Sequence, residues 1–419
     1  MNLIWAMIND LSFIISLGLV SIPIPGIASP VQSILSTIIY MDLLMTDKWL
    51  SQFIEMTVLP EDLDEDSAFN MYFESQGFES RLILFNLGST LVFLIIQISL
   101  ILYGGIIKVM SSIFQRQIKE LLTVFYRARK QYDFLQPRIF WGGTIRFIIQ
   151  QFQPLLFSSL INIKSATVSE LTPQSVGLKL SFSLSLILFS VTLLSIVAFF
   201  WIIKRGKAWE QRFETLIEGL NTRPSGFQLS SYWTVWTLVK WSLMCFILVL
   251  AAEYPAQQIQ LLTVLSIFST ALQLLVKPQE SRVENGISLF NELMASVYLF
   301  ILICLANAPD DLTIRENLGL ALISTLLFTL LINLLKVLIT IGLEIFKRIK
   351  RKWCTPRVRK VQYPATLQTL EGLNRDEDEK EKEEVKEIEK IEEQREKEEE
   401  KEFYSRVKRG KGKRTVIME

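Results

Sequence analysis

The sequence predicts an all-α fold, a polytopic bundle of about eight transmembrane helices with a charged cytoplasmic tail. Half of the 419 residues are apolar and only 21% are charged, which is typical of a membrane protein with several spans. Apolar runs of about 20 residues, the length that crosses a bilayer, recur along the chain with short polar turns between them. Charge is segregated, because acidic residues collect in one early loop and in the tail while basic residues follow the ends of the runs.

Several kinds of catalytic and metal site are excluded by what the chain lacks. Histidine is absent, which excludes a histidine triad, a histidine zinc site and a histidine proton relay. The three cysteines are widely spaced and rule out a disulfide framework or a four-thiolate metal site, so Cys245 and Cys304 are expected to pack as small apolar residues. No glycine-rich phosphate loop or nucleophile beside a base is present. We therefore expect no enzymatic activity, no metal and no cofactor.

Residues 1–81 are interpreted as an N-terminal span, a second apolar run and an acidic loop outside the cytoplasm. Residues 3–22 are apolar enough to cross a bilayer of about 30 Å. They do not read as a signal peptide, because the start is not basic and Pro23 and Pro25 follow. The second run, 28–45, either crosses the membrane or lies along its interface. The side of the membrane that holds the N-terminus depends on this choice.

Residues 82–346 are predicted to form a bundle of seven further spans. Gln97 in the first of them needs a hydrogen-bond partner inside the bundle, and Pro154 implies a kink in the second. Between these two spans, residues 111–132 are amphipathic and basic, which suits either a helix on the cytoplasmic leaflet or a soluble connector. The predicted spans are residues 82–107, 140–162, 176–203, 232–252, 260–276, 287–306 and 318–341.

Basic loops set the expected orientation of these spans. The loops that start at Lys108, Lys204, Lys277 and Lys347 are basic, and the loops between them are acidic or nearly neutral. Because lysine and arginine favour the cytoplasmic side, this alternation places the C-terminus in the cytoplasm.

Polar side chains inside the apolar runs are the candidate functional residues, and each ionisable one costs at least a few kcal/mol in a membrane. The candidates are Lys240, Asn291, Glu292, Asn333 and Lys336. Lys240 lies among Trp233, Trp236 and Trp241, which favours an interfacial lysine that snorkels to the headgroups. Glu292 is expected either to form an ion pair with Lys240 or Lys336 or to belong to an ion site. The two asparagines are expected to hydrogen-bond between helices.

The chain after residue 346 is interpreted as a basic linker, 347–365, and a charged tail, 366–419. The linker suits contact with anionic lipid, although an ordinary stop-transfer flank has the same composition. Cys354 is a candidate for palmitoylation. The tail is rich in glutamate and lysine, which favours a solvated single helix or disorder, with cytoplasmic proteins rather than nucleic acid as partners. The lipid-surface candidates are Lys347, Arg348, Lys350, Arg351 and Lys352.

Short stretches spread over most of residues 5–341 match a known family. They are Trp5-Ala-Met-Ile-Asn9, Phe73-Glu-Ser-Gln-Gly-Phe-Glu-Ser80, Asn86-Leu-Gly-Ser89, Phe140-Trp141, Arg146-Phe-Ile-Ile, Lys277-Pro278, Ser281, Asn285 and Phe290-Asn-Glu292. Together they resemble the membrane domain of the transient-receptor-potential-like family, best known from fungal flavin carriers and ciliate surface proteins. The resemblance implies a multi-span fold, and it begins inside a family span, as expected of a truncated or divergent member. Gln150, Gln151 and Phe152 stand where the family has an acidic and an aromatic residue.

Two functions of different classes follow as hypotheses. The resemblance implies a channel or a carrier for ions or small solutes, which the polar groups inside the spans permit. The alternative is a non-conducting membrane anchor or scaffold that presents the charged tail to cytoplasmic partners. Polar side chains that converge inside the bundle would favour the first function.

Overall fold

The fold was analysed in a computed structural model, which describes residues 2–26, 28–39, 68–78, 80–114, 136–168, 176–210, 212–221, 229–308 and 311–354. Within these residues the secondary structure is helical, and the one extended contact is an isolated β-bridge between Leu220 and Gln279. The predicted all-α class is therefore confirmed for the described part of the chain. Residues 1–346 form one compact unit, and residues 347–419 belong to a second.

The α-helices are numbered here in chain order. They are α1 (Asn2–Ser16), α2 (Ala28–Ile39), α3 (Met71–Glu74), α4 (Ile83–Leu87), α5 (Ser89–Phe114), α6 (Thr144–Gln150), α7 (Phe152–Val168), α8 (Val176–Lys204), α9 (Trp233–Leu250), α10 (Pro255–Val276), α11 (Arg282–Ala306) and α12 (Leu312–Cys354).

Six of these helices, α5 and α8 to α12, are long and apolar enough to cross a membrane. Their windows of 18 residues have mean hydropathies of 1.7 to 2.7. Many of their apolar side chains face outward, including Leu102, Ile106 and Val264, each more than half exposed. Exposed apolar side chains on such helices suit contact with lipid, so the structure indicates an integral membrane protein.

The other two predicted spans fold in shorter pieces. The first is α1, which is followed by a 3-10 turn at Leu17–Leu19 and so stops short of Ile22 as a regular helix. The second, residues 140–162, is divided at Gln151 into α6 and α7. The kink expected from Pro154 is present, and it lies on the N-terminal side of the proline because the ring clashes with the carbonyl of Gln150, four residues earlier.

These two interrupted segments occupy the core of the bundle. Residues 11–22 and 151–162 are all buried, whatever direction their side chains take from the helix axis. A helix buried on all sides must place its polar side chains on partners inside the protein. Gln153 accordingly donates to Ser12 Oγ over 3.0 Å and accepts from Ser16 Oγ over 3.2 Å.

The second apolar run is described as α2, residues Ala28–Ile39. A helix of 12 residues is about 18 Å long, too short for a hydrocarbon core of about 30 Å. It packs on the 3-10 turn that follows α1, where a Cβ atom on Gly18 would lie 1.5 Å from Gln32 Nε2. The described part of this run therefore does not cross the membrane.

One end of the bundle is organised around the turn between α10 and α11. Leu220 and Gln279 form their β-bridge here, beside that turn. Arg146, in the first turn of α6, pairs with Glu218 across 2.8 Å, which brings α6 to the same place. We call this the Lys277 end, after the residue that follows α10.

The opposite end is joined by side-chain to main-chain hydrogen bonds. Lys164, late in α7, donates to the carbonyl of Val249 near the end of α9 over 2.9 Å. Gln258, near the start of α10, accepts from the Ser21 amide over 2.9 Å. We call this the Lys164 end.

Several sequence predictions lie outside the described residues. They concern the acidic cluster within residues 60–67, most of the amphipathic segment 111–132 and the tail from residue 355 onward. The same holds for the side chains of Arg348, Arg351, Lys352 and Cys354 at the end of α12, whereas Lys347 and Lys350 are described as exposed.

Candidate functional site

An ion pair between α9 and α11 lies inside the bundle. Lys240 Nζ is 2.5 Å from Glu292 Oε1, and the two side chains are 5% and 15% exposed. The ammonium group also lies 3.8 Å from the centre of the Phe13 ring of α1, close enough for a cation–π interaction. Three elements that are far apart in the sequence therefore meet at one charged group.

The interpretation of Lys240 as a snorkelling residue is wrong. The residue is only 4% exposed, and its ammonium group is turned inward onto Glu292 and Phe13. Trp241, expected in an interfacial belt, is also buried, with its ring centre 6.3 Å from that of Phe152. The physical reason is that α9 packs against the buried core helices, so this part of α9 faces protein and not headgroups.

The two asparagines form a reciprocal pair between α11 and α12. Asn333 Nδ2 donates to Asn291 Oδ1 over 2.7 Å, and Asn291 Nδ2 donates back over 3.2 Å. Asn333 also donates to the carbonyl of Thr329 over 2.9 Å. Lys336 lies one turn further along α12 and is half-buried. Each amide thus has its hydrogen-bond partner on the neighbouring helix.

A face of α10 that sequence reasoning missed is also polar and buried. Ser266, Ser269 and Gln273 follow one another at spacings of three and four residues, so they share one face of the helix. Ser266 Oγ lies 2.9 Å from Ser296 Oγ, which places this face against α11. The sequence signal was present, because the three polar residues interrupt an apolar run at helical spacing.

Some polar groups in this region have no hydrogen-bond partner among the residues that the structure describes. They are Ser269 Oγ, both amide atoms of Gln273, Glu292 Oε2 and Trp236 Nε1. Ser269 is 0% and Gln273 2% exposed, so bulk water does not satisfy them either. Unpaired buried polar groups are uncommon in proteins and call for a physical reason.

Other buried polar side chains are fully paired and hold helices together. Gln258 accepts from the Ser21 amide and donates to the Leu248 carbonyl, and Gln32 donates to Tyr298 Oη over 2.9 Å. Gln97, expected to need a partner, donates to Thr144 Oγ1 over 2.9 Å. Unpaired buried side-chain atoms are therefore concentrated between α9, α10 and α11, although Ser21 Oγ, elsewhere in the described core, also has no partner.

The described residues include no group of three or more cysteine, aspartate or glutamate side chains that could hold a metal ion. The candidate site is thus a neutral ion pair with a partly unpaired polar lining.

Comparison of the chain with protein-family models, with curated proteins and with solved structures finds no match. The resemblance to the transient-receptor-potential-like family therefore stays a prediction.

Proposed function

We propose that this chain carries ions or small solutes across a bilayer, along a path through the interior of the bundle that passes Glu292. The observation that carries the proposal is the buried charge at the centre of the bundle. Charged side chains inside a membrane are costly and mark transport pathways more often than they serve as simple packing groups. Glu292 in addition keeps one carboxylate oxygen without a protein partner.

The contacts at the two ends support eight crossings. From the Lys277 end to the Lys164 end run α1, the α6–α7 pair, α9 and α11, and in the reverse direction run α5, α8, α10 and α12. The start of α12 belongs at the Lys164 end, because a Cβ atom on Gly319 would lie 2.9 Å from the Pro25 carbonyl oxygen. In this proposal α1 and α6–α7 cross as interrupted segments, shielded from lipid by the six long helices.

The Lys277 end is proposed to face the cytoplasm. It carries the basic residues that follow α8 and α10, including Lys204, Arg205 and Lys277, which favours the cytoplasmic side. Anionic lipid is the proposed partner of exposed Lys347 and Lys350.

A filter between the last two spans does not fit the connection that the chain provides there. Helix α11 ends at Ala306 and α12 begins at Leu312, so little chain is available for a re-entrant loop. A conducting path would have to pass between helices, where Glu292 and its polar neighbours could replace part of the hydration shell of an ion.

The test is a flux assay on the full chain in liposomes, with K⁺, Na⁺, Cl⁻ and a neutral solute as probes. Glu292→Gln should change rate or selectivity. Because it also strands Lys240 inside the bundle, it should cost about 3–5 kcal/mol of stability. Glu253→Gln, the same change on an exposed residue between α9 and α10, is the matched control and should leave flux and melting temperature unchanged.

A double variant separates transport from structure. Lys240→Met with Glu292→Leu removes both charges at similar volume, so stability should return to near that of the unaltered chain. If the pair serves transport, flux stays altered in this stable variant. Unaltered flux in the double variant contradicts the proposal.

The alternative function is a non-conducting anchor or scaffold that presents the charged tail to cytoplasmic proteins. Its support is the mutual pairing of Asn291 with Asn333, which shows that polar side chains in this bundle can serve packing alone. A chain that carries none of the four probes in liposomes would favour it.

A further inference from the structure

Five buried polar atoms without a hydrogen-bond partner lie on three neighbouring helices. They belong to Trp236 of α9, Ser269 and Gln273 of α10, and Glu292 of α11. Such atoms lose their bonds to water without replacement, at a cost of about 1–3 kcal/mol for each group. Four such groups on adjoining helices call for a physical reason.

The register of α10 and α11 brings Ser269, Gln273 and Glu292 to the interface of these two helices. Helices α10 and α11 run in opposite directions, and Ser266 meets Ser296 at 2.9 Å. Ser296 also donates to the main-chain carbonyl of Glu292, one turn earlier on α11. Ser269 and Gln273 continue the Ser266 face toward the Lys277 end, on the side where Glu292 lies.

The polar face of α10, formed by Ser266, Ser269 and Gln273, covers only part of the length of the bundle. Gln273 is one turn from Lys277, and Ser266 is about 10 Å further in at 1.5 Å per residue. Beyond Ser266 comes a layer of three leucines, Leu262, Leu299 and Leu302, each 0% exposed. The polar lining thus starts at the Lys277 end and stops at this leucine layer.

The chemistry of the lining selects its ligand. Glu292 is already neutralised by Lys240, so a second cation near the ammonium group would be repelled strongly at low dielectric. The unpaired set includes donors, at Trp236 and Gln273, as well as acceptors, at Glu292 and Gln273. A small neutral molecule that both donates and accepts satisfies them, and water is the smallest.

We propose that the α10–α11 hairpin parts from the segment before α9 at the Lys277 end and admits water as far as Glu292, with the present structure as the closed form. This inference rests on the proposed function, which it deepens by naming where solute enters and where the path is closed. While water contacts Ser269 and Gln273, the leucine layer still blocks its passage to the Lys164 end.

The contacts around the turn between α10 and α11 fit the role of a latch. The Asn221 amide donates to the Pro278 carbonyl over 2.7 Å, and the Glu280 amide donates to the Gly219 carbonyl over 3.1 Å. These main-chain bonds join the turn to the segment before α9, at the place where the hairpin would have to separate from that segment.

Cysteine accessibility tests the proposal. In a full chain with Cys245, Cys304 and Cys354 replaced by alanine, Gln273→Cys and Ser269→Cys are compared with Leu262→Cys. A membrane-impermeant thiol reagent added at the Lys277 end should modify the first two at least tenfold faster than the third. Equal rates, or modification only from the Lys164 end, would overturn the proposal.

A second measurement keeps the test decisive if the cysteine variants do not fold. Gln273→Leu removes the unpaired amide at nearly constant volume, so it raises the melting temperature if the interface is always dry. If water reaches the amide, the melting temperature falls. Neither readout involves flux, so water entry can stand when transport fails, and transport can stand when Gln273→Cys proves unreactive.

Discussion

Two of the interhelical polar pairs, Asn291 with Asn333 and Lys240 with Glu292, differ in what each leaves unpaired. Asn291 and Asn333 exchange two hydrogen bonds, whereas Glu292 gives one oxygen to Lys240 and leaves the other without a partner. An amide pair whose two members hydrogen-bond to each other needs no further partner for these groups. We therefore expect the asparagines to hold α11 against α12 and to contribute nothing to conduction.

Replacing one asparagine should destabilise the protein without changing flux. Asn333→Leu leaves the Asn291 amide buried and unpaired, at an expected cost of about 1–2 kcal/mol for an interhelical bond in a membrane protein. The melting temperature should fall. Asn291→Leu with Asn333→Leu should recover most of the loss, because no unpaired amide remains. Asn307→Ala, at an exposed helix end, is the control, and an additive double variant would contradict the pairing.

The sequence could identify Glu292 but not choose its partner. Lys240 and Lys336 are both within reach in principle, because a sequence does not state how helices more than 40 residues apart are aligned. The same lack of information on helix packing explains why Lys240 was wrongly interpreted as a snorkelling residue. Tryptophans around a lysine read as an interfacial belt, and only the packing of α1 and α7 against α9 turns that stretch into core.

At the level of helices, close packing of α2 on the 3-10 turn that follows α1 depends on a glycine. Gly18 has no Cβ atom, and the space that one would occupy is filled by the Gln32 side chain. Gln32 in turn donates to Tyr298 Oη and so ties α2 to α11. The contact fixes the N-terminal hairpin against the rest of the bundle.

Gly18→Ala should therefore break a hydrogen bond on a different helix. The new methyl group displaces Gln32, and the expected loss is about 1 kcal/mol for the bond to Tyr298, plus packing strain. In a Gln32→Ala background the same change should cost clearly less, as melting temperatures of the four proteins will measure. Gly105→Ala is the matched control on α5, where no atom lies within 4 Å and alanine improves helix propensity. Equal costs in both backgrounds would contradict the contact.

For the interrupted helices, the sequence predicted where the helix breaks but not where the helix lies in the bundle. Pro154 predicts a break, because its ring cannot follow a helical Gln150, and the break is present at Gln151. No local feature of the sequence shows that residues 152–162 of α7 are buried on all sides. Helix α7 has a larger share of polar residues than the outward-facing α5, but that difference does not state how many neighbours surround each helix.

For the whole molecule, the sequence predicted the fold class better than the number of spans. Long apolar runs identify six crossing helices directly, because length and hydropathy are properties of the run itself. The remaining two predicted spans are interrupted by a 3-10 turn and by a proline break, which shortens each regular helix. Whether they cross depends on their position among the other helices. The support for crossing is that successive segments run between the Lys277 end and the Lys164 end in alternating directions.

The orientation of the whole molecule can be tested through its tail. Residues 366–419 are mostly charged and offer little apolar surface, so a chain truncated after Lys360 should fold and keep its melting temperature. If the Lys277 end is cytoplasmic, protease added outside sealed, right-side-out vesicles should leave an epitope at Glu419 intact. Detergent should then expose the tail to the same protease, which shows that the site is cleavable. Digestion without detergent would reverse the topology, and aggregation of the truncated chain would show that the tail packs on the bundle.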